Sequence, residues 1–536
     1  MRGTCTRSDT VPRIPLNPLL TSDSRCRAVR ENDVVLPGTD PELIAGLRAD
    51  LDDARFSVEG LEAAWGAVAA EALGRDDPVP ALLELERRPA APAGTLGALF
   101  VLGAERNVDA VAAALPRIGA AGAERLGLVR VHGGEVAALV DLRPYALADE
   151  SGVAAWWIAS DPGEMALGGE LPEEHVLGAG SASTTLAQIL VPTGAGTVLD
   201  LGTGSGLQGL IAARSAARVV ATDVSSRALV FAGFNAVLNR VTLDLREGSL
   251  YEPVQGERFD RIVSNPPFVI TPRGSADVPA YTYRDGGFRG DGLVEAVMRG
   301  AADRLERGGI AQLLGNWEVR GDQLAARERV LEWAGPLDVW IVERDLLDPA
   351  QYAETWVRDG GAQPGTARFR SLVRAWLDDF AERGVTAIGA GYVTLRAPRG
   401  APTLRRFEHL DGAVGSGIGE AIEAGLAAHD LQRVLPDDAL ADTVLIVGAD
   451  VTEHRHYWPG DADPTVIELR QGTGFARVRR VDTVTAAVVG ASDGELSIGA
   501  IVDAVARILD ADPADTRAAV LPVVRELWFE GFLALQ

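Results

Sequence analysis

Residues Asn265-Pro266-Pro267-Phe268 constrain this chain more than any other stretch, because they end the strand-like run Phe259-Asp260-Arg261-Ile262-Val263-Ser264. A proline lacks the donor that a central ladder needs, so two in succession force the chain out of a sheet. Open α/β sheets place ligands at the carboxyl ends of their strands. The Asn265 amide, a backbone carbonyl held by the proline pair and the Phe268 ring then lie side by side. Two acceptors and an aromatic face suit a flat target that carries N–H groups. The plainer alternative is a strand-to-loop turn, since Asn-Pro is common turn chemistry.

The context favours a site. Upstream, Thr197-Val198-Leu199-Asp200-Leu201 runs into Gly202-Thr203-Gly204-Ser205-Gly206, and Leu207 to Ala217 has helix-compatible apolar spacing. Glycines let the backbone approach a ligand and adopt positive φ. Arg218 to Asp223 reads as a second strand ending in a carboxylate that can accept from both hydroxyls of a ribose. Leu243 to Leu250 is a third strand-to-turn unit, and the fourth delivers Asn265 to Phe268. Gly204-x-Gly206-x-x-Gly209 with Asp223 also fits the dinucleotide fingerprint. Asp200 lies outside that fingerprint but suits a nucleoside with a cationic amino-acid tail. Hydride-transfer chemistry also gives no use for residues 265–268.

The series DLGTGSG (from Asp200), TDVS (from Thr222), EGSL (from Glu247) and SNPPF (from Ser264) resembles the class I S-adenosylmethionine-dependent methyltransferases. Within them it is similar to the branch that methylates planar nitrogens. That branch includes release-factor glutamine methyltransferases and RNA methyltransferases acting on exocyclic base amines. Tyr283 to Leu293 resembles the DGG-x-x-G-x-x-L stretch of the glutamine group, and His175 to Gln188 is similar to actinobacterial multi-domain methyltransferases of undefined substrate. The resemblance covers about Leu177 to Pro398.

It implies an α/β, Rossmann-like domain with a seven-stranded, mostly parallel sheet. It further implies S-adenosyl-L-methionine as cofactor, held by Thr184, Asp200, Gly202, Thr203, Gly204, Gly206, Asp223, Val224, Ser249, Leu250 and Asn265. Asn265, Pro266, Pro267 and Phe268 would be catalytic. Ser249 replaces the acid that often contacts the adenine amine, and Phe268 replaces the Tyr typical of the release-factor enzymes and is commoner in the RNA-modifying relatives. The expected activity is N-methylation of a macromolecule, at a protein glutamine or an RNA base amine. A binding scaffold that keeps a methyltransferase fold is the alternative.

Composition bounds the partners. The chain has 536 residues and a formal charge of −25, and all 51 of its basic side chains are arginine. An acidic protein repels nucleic acid at long range, which favours a protein substrate unless a local arginine patch overrules it; DNA is not expected as a partner. Cys5 and Cys26 both lie in the N-terminal tail, where no disulfide framework or metal spacing can be read. The absence of an apolar run of membrane-spanning length, or of a hydrophobic signal core, leads to the expectation of a soluble, cytoplasmic protein.

Four regions are expected: a disordered tail over 1–40, a mostly helical or winged-helix-like domain over 41–128, a hairpin plus catalytic domain over 129–400, and a C-terminal α+β domain over 401–536, with a winged helix as one form of it. Val129 to Val136 reads as a hairpin turning at His132-Gly133-Gly134. Trp156 and Trp157 read as packing residues. Ser181 to Leu186 opens a helix in which Thr184 or Thr185 either caps the helix or touches the cofactor. Arg477, Arg479 and Arg480 read as a solvated strand face, with RNA phosphate contact as the alternative. His454 and His456 share one strand face, but no second ligand cluster completes a metal site, and no metal is assigned.

Overall fold

The computed structural model describes residues 36–75, 77–87, 91–149, 152–167, 171–192, 194–273, 284 and 286–536. Most of the tail expected over 1–40, and Tyr283 and Asp285, lie outside the described residues.

The central sheet consists of β1 (Thr197–Leu201), β2 (Arg218–Asp223), β3 (Asp244–Glu247), β4 (Phe259–Ser264), β5 (Leu305–Arg320), β6 (Asp338–Leu347), β7 (Val385–Arg396) and β8 (Arg405–His409). Their spatial order is β8-β6-β7-β5-β4-β1-β2-β3. Strand β7 is antiparallel to both neighbours, and every other pairing is parallel. Val198, Leu199, Val219, Val220, Ile262 and Val263 are buried, as strands covered on both faces require.

The expected count of seven strands is therefore one short. Strand β8 lies past residue 400 and pairs with β6 from Val339↔Arg405 to Glu343↔His409. Its sequence, Arg-Arg-Phe-Glu-His, lacks the apolar run that marks a buried strand, because edge strands carry charge.

From β1 the chain steps outward to β2 and β3; from β4 it steps the other way. This puts a topological switch point between β1 and β4, where doubly wound sheets open a ligand crevice. The register pairs Leu201 with Ser264. The glycine turn and the Asn-Pro-Pro-Phe loop therefore leave the sheet at the same level.

The N-terminal region is helical from Pro41–Asp53 to Gly119–Arg125 and ends in strands Val129–His132 and Glu135–Ala138, with Arg106–Asn107 beside the latter. This is the strand–helix–helix–hairpin order of a winged helix. The two-residue turn is Gly133-Gly134, both at positive φ, as a tight hairpin demands. Arg48 donates to the carbonyls of Leu238 (2.7 Å) and Val237 (2.8 Å), closing the C-terminus of helix Ser226–Leu238 beneath the sheet. Strands Asp141–Asp149 and Gly152–Ser160 form a long hairpin. Trp156 is buried beside Tyr145, and the Trp157 indole donates to the Phe56 carbonyl at 2.7 Å, so both tryptophans pack.

The C-terminal residues are joined to the sheet through β8. Arg406 pairs with Glu408, Glu526 and Glu530, and lies 4.5 Å from the Phe529 ring centre. Arg477 is 6% exposed, donates to Glu408 at 2.6 Å and lies 4.5 Å from the Phe475 ring centre. The surface role considered for Arg477 is thus corrected, since its aliphatic stem and charge serve a buried ion pair. Arg479 meets Glu530, while Arg480 is exposed near Glu468. Strands Val451–His456, Val466–Gln471 and Val478–Val481 form a small sheet with exposed His454 and His456 on one face. Strand Asp493–Ser497, helices Ile498–Ile508 and Pro513–Phe529, and strand Leu533–Leu535 follow, with Val444–Val447 between the two strands. Among the described residues no helix is long and apolar enough to cross a membrane.

Candidate active site

The glycine turn is shaped by its own acids. Gly202, Gly204 and Gly206 have φ of +73°, +55° and +87°. An added Cβ would meet nothing within 4 Å at Gly202 or Gly204, whereas at Gly206 it would lie 3.1 Å from the Cα of Ala232. The first two glycines therefore face open space, and the third presses the turn onto helix Ser226–Leu238.

Asp200, 1% exposed, accepts through Oδ2 from the Thr203 hydroxyl at 2.6 Å and from the Gly209 amide at 2.8 Å. Burial pushes its carboxyl up to about 6, with Asp223 adding to the rise and the two hydrogen bonds opposing it. One carboxylate oxygen is thus spent on holding the turn. The last glycine of the dinucleotide-like spacing, Gly209, serves this acid.

Asp223 accepts from the Gly204 amide at 2.9 Å and the Ser225 amide at 2.8 Å, one on each oxygen. Burial raises its pKa against those bonds. The Val224 amide also bonds this carboxylate, and of its roughly four lone-pair sites one is left for a hydroxyl donor. Val224 follows with 60% of its surface exposed, an apolar lip at the end of β2. The Gly248 amide donates to the Asp223 carbonyl at 2.9 Å, which brings exposed Ser249 and half-buried Leu250 to the same rim.

On the other side of the switch point, Pro266 is buried and Asn265, Pro267 and Phe268 are half-buried. The Asn265 Oδ1 is buried and has no hydrogen-bond partner among the described residues. Buried polar atoms are almost always paired, so an orphaned acceptor marks a place where a donor is meant to arrive. Phe268 stands edge-on to Trp356, with ring centres 6.3 Å apart and planes at 70°. Gly286 packs on this loop, since a Cβ there would lie 3.0 Å from Pro267 Cγ.

Helix Ser181–Ile189 has Gly180 as its N-cap and no side-chain cap bond. The capping role considered for Thr184 is therefore corrected; its hydroxyl donates back to the Gly180 carbonyl at 3.1 Å. The adjacent Ser183 carbonyl accepts from Gln208 Nε2 at 2.7 Å, which ties that helix to helix Leu207–Ala212 after the glycine turn.

Sequence reasoning missed several supports. Asn235, fully buried, donates to the Ser205 carbonyl at 2.8 Å and bonds both the amide and the carbonyl of Ala159. Arg227 pairs with Asp161. Tyr352 and Trp356, spaced i, i+4 and so on one helix face, reach the Asn-Pro-Pro-Phe loop. Only that aromatic spacing was visible beforehand.

Residues 53–139 match the model of a domain of unknown function (DUF7059), and residues 178–280 match the methyltransferase small domain. The chain is 41% identical over 153 residues to a release factor glutamine methyltransferase of Xylella fastidiosa, covering 26% of this chain and 52% of that protein. It is 34% identical over 196 residues to a ribosomal protein uL3 glutamine methyltransferase of Bradyrhizobium diazoefficiens, covering 33% of this chain and 59% of that protein. The chain thus spans just over half the length of these curated relatives. Residues 178–280 are therefore similar to the methyltransferase small domain, and they supply strands β1 to β4 of the central sheet.

Proposed function

We propose that this protein is an S-adenosylmethionine-dependent N-methyltransferase acting on the side-chain amide of a protein glutamine. The observation that carries the reading is the orphaned Asn265 Oδ1 at the β1/β4 switch point. The names of the relatives, the methyltransferase small domain and the acidic charge support it.

The residues present fit the cofactor. Open space over Gly202 and Gly204 leaves room for its amino-acid end, Asp223 offers an acceptor to a ribose, and Val224 and Leu250 offer apolar surface to a base. When bound, S-adenosylmethionine supplies a methyl group already activated on a sulfonium.

The chain's own task is alignment. An amide nitrogen is a poor nucleophile because its lone pair is delocalised into the carbonyl. Asn265 Oδ1 and the Pro266 carbonyl would accept the two N–H groups of a primary amide, drawing the nitrogen toward a tetrahedral shape. Phe268 would hold the amide plane so that the lone pair has one direction. The same geometry fits a base amine, and it is the net charge of −25 that favours a protein substrate over RNA. A cytoplasmic setting accords with substrates of the kind named for the relatives.

Two measurements test the reading. Calorimetry with S-adenosylmethionine should show one site; no binding would favour a scaffold. Methyl-labelled cofactor incubated with lysate from a strain lacking the protein should give a product destroyed by protease. A product destroyed by ribonuclease would overturn the glutamine assignment.

A further inference from the structure

Two prolines in succession strip the Asn-Pro-Pro-Phe loop of the amide donors that would otherwise anchor it. The two amides after Phe268 therefore bear an unusual share of its fixation. Val269 N–H donates to the Arg284 carbonyl at 2.9 Å, and Ile270 N–H donates to the Tyr352 hydroxyl oxygen at 3.0 Å. That oxygen also accepts from Asn316 Nδ2 of β5 at 2.6 Å.

Tyr352 lies on helix Pro349–Asp359, which with helix Ala367–Glu382 is inserted between β6 and β7. One turn along the same face, Trp356 meets the edge of Phe268 and accepts from Arg284 through its carbonyl. Tyr352 is in turn packed against Trp376 and Phe380, each with ring centres 6.0 Å away. One helix face therefore touches both ends of the loop's downstream half, through a polar contact at Ile270 and an aromatic contact at Phe268.

We infer that Tyr352 and Trp356 are positioning residues that set the acceptor loop, Tyr352 by fixing the backbone after Phe268 and Trp356 by fixing the Phe268 ring. This rests on the methyltransferase reading for its catalytic consequence, but the clamp itself does not. Misplacement of a reacting group by about 1 Å costs on the order of a hundredfold in rate. Loss of the phenol oxygen should therefore act on turnover more than on binding.

The test uses the full chain with Tyr352→Phe, which keeps the ring, and Trp376→Phe as a control in the same aromatic cluster. The acceptor pool is lysate from the strain lacking the protein, titrated against methyl-labelled S-adenosylmethionine. Tyr352→Phe should lower the maximum transfer rate about tenfold to a hundredfold, with the half-saturating lysate dose and the cofactor Kd within about twofold of wild type. Hydrogen exchange at the Ile270 amide should speed by about tenfold or more, as a buried amide that loses its acceptor opens more readily. Trp376→Phe should do neither. Wild-type transfer and exchange in Tyr352→Phe, or an equal loss of rate in Trp376→Phe, would overturn the inference. Should wild type label nothing, the proposed activity fails, and Ile270 exchange alone decides the clamp.

Discussion

Replacing Asp200 by Asn tests whether the glycine turn is held by a carboxylate at a cost to stability. In the fold its carboxyl is pushed up to about 6 by burial, against ~3.9 for an unfolded Asp. Between those values the folded chain binds a proton that the unfolded chain has released. Stability therefore falls as pH rises from about 4 to about 6 and is level above that, and the gap corresponds to ~3 kcal/mol. Asn has the same size and no charge, and its oxygen can still accept from Thr203 and Gly209. The variant should thus gain about 3 kcal/mol on wild type between pH 4 and pH 7, measured as the difference of two urea titrations at each pH so that other groups cancel. It should also bind S-adenosylmethionine more weakly at pH 7, where the wild-type charge faces a cationic ligand. A stability difference that stays flat across that range would refute the reasoning.

Three further outcomes follow from the geometry. Asn265→Ala should reduce methyl transfer about a hundredfold to a thousandfold while calorimetry shows little change in cofactor Kd, because the lost acceptor acts on the reacting group. Gly206→Ala forces a side chain into φ +87° and within 3.1 Å of the Ala232 backbone, so denaturant unfolding should show a loss of about 1–3 kcal/mol. Arg477→Met leaves Glu408 short of a buried partner, and the same assay should show a loss near ~3 kcal/mol.

The backbone of the candidate site was legible because it is dictated by residues with extreme preferences. Glycines at 202, 204 and 206 and prolines at 266 and 267 leave few conformations, and the acids at 200 and 223 end apolar runs that only buried strands explain. What could not be read depends on contacts between distant segments. Arg477 sits in a polar, arginine-rich stretch, and nothing local shows that Glu408, Trp340 and Phe475 enclose it. Strand β8 hid for the opposite reason, as its charges belong to an edge. Nothing near Tyr352 in the sequence announces its contact with Ile270, since that bond spans 82 residues. The role of Thr184 as a cap was lost to Gly180, whose backbone conformation no side-chain pattern announces.

The central claim is methyl transfer to a glutamine amide, and the fate of the label on acid hydrolysis tests it most directly. Protein labelled by the wild-type enzyme from methyl-labelled S-adenosylmethionine would be hydrolysed to its amino acids. An N-methylated side-chain amide breaks to glutamate and methylamine, so the account predicts labelled methylamine in the hydrolysate and none after labelling with Asn265→Ala. Label that stays on an amino acid, or on a nucleobase, would contradict it.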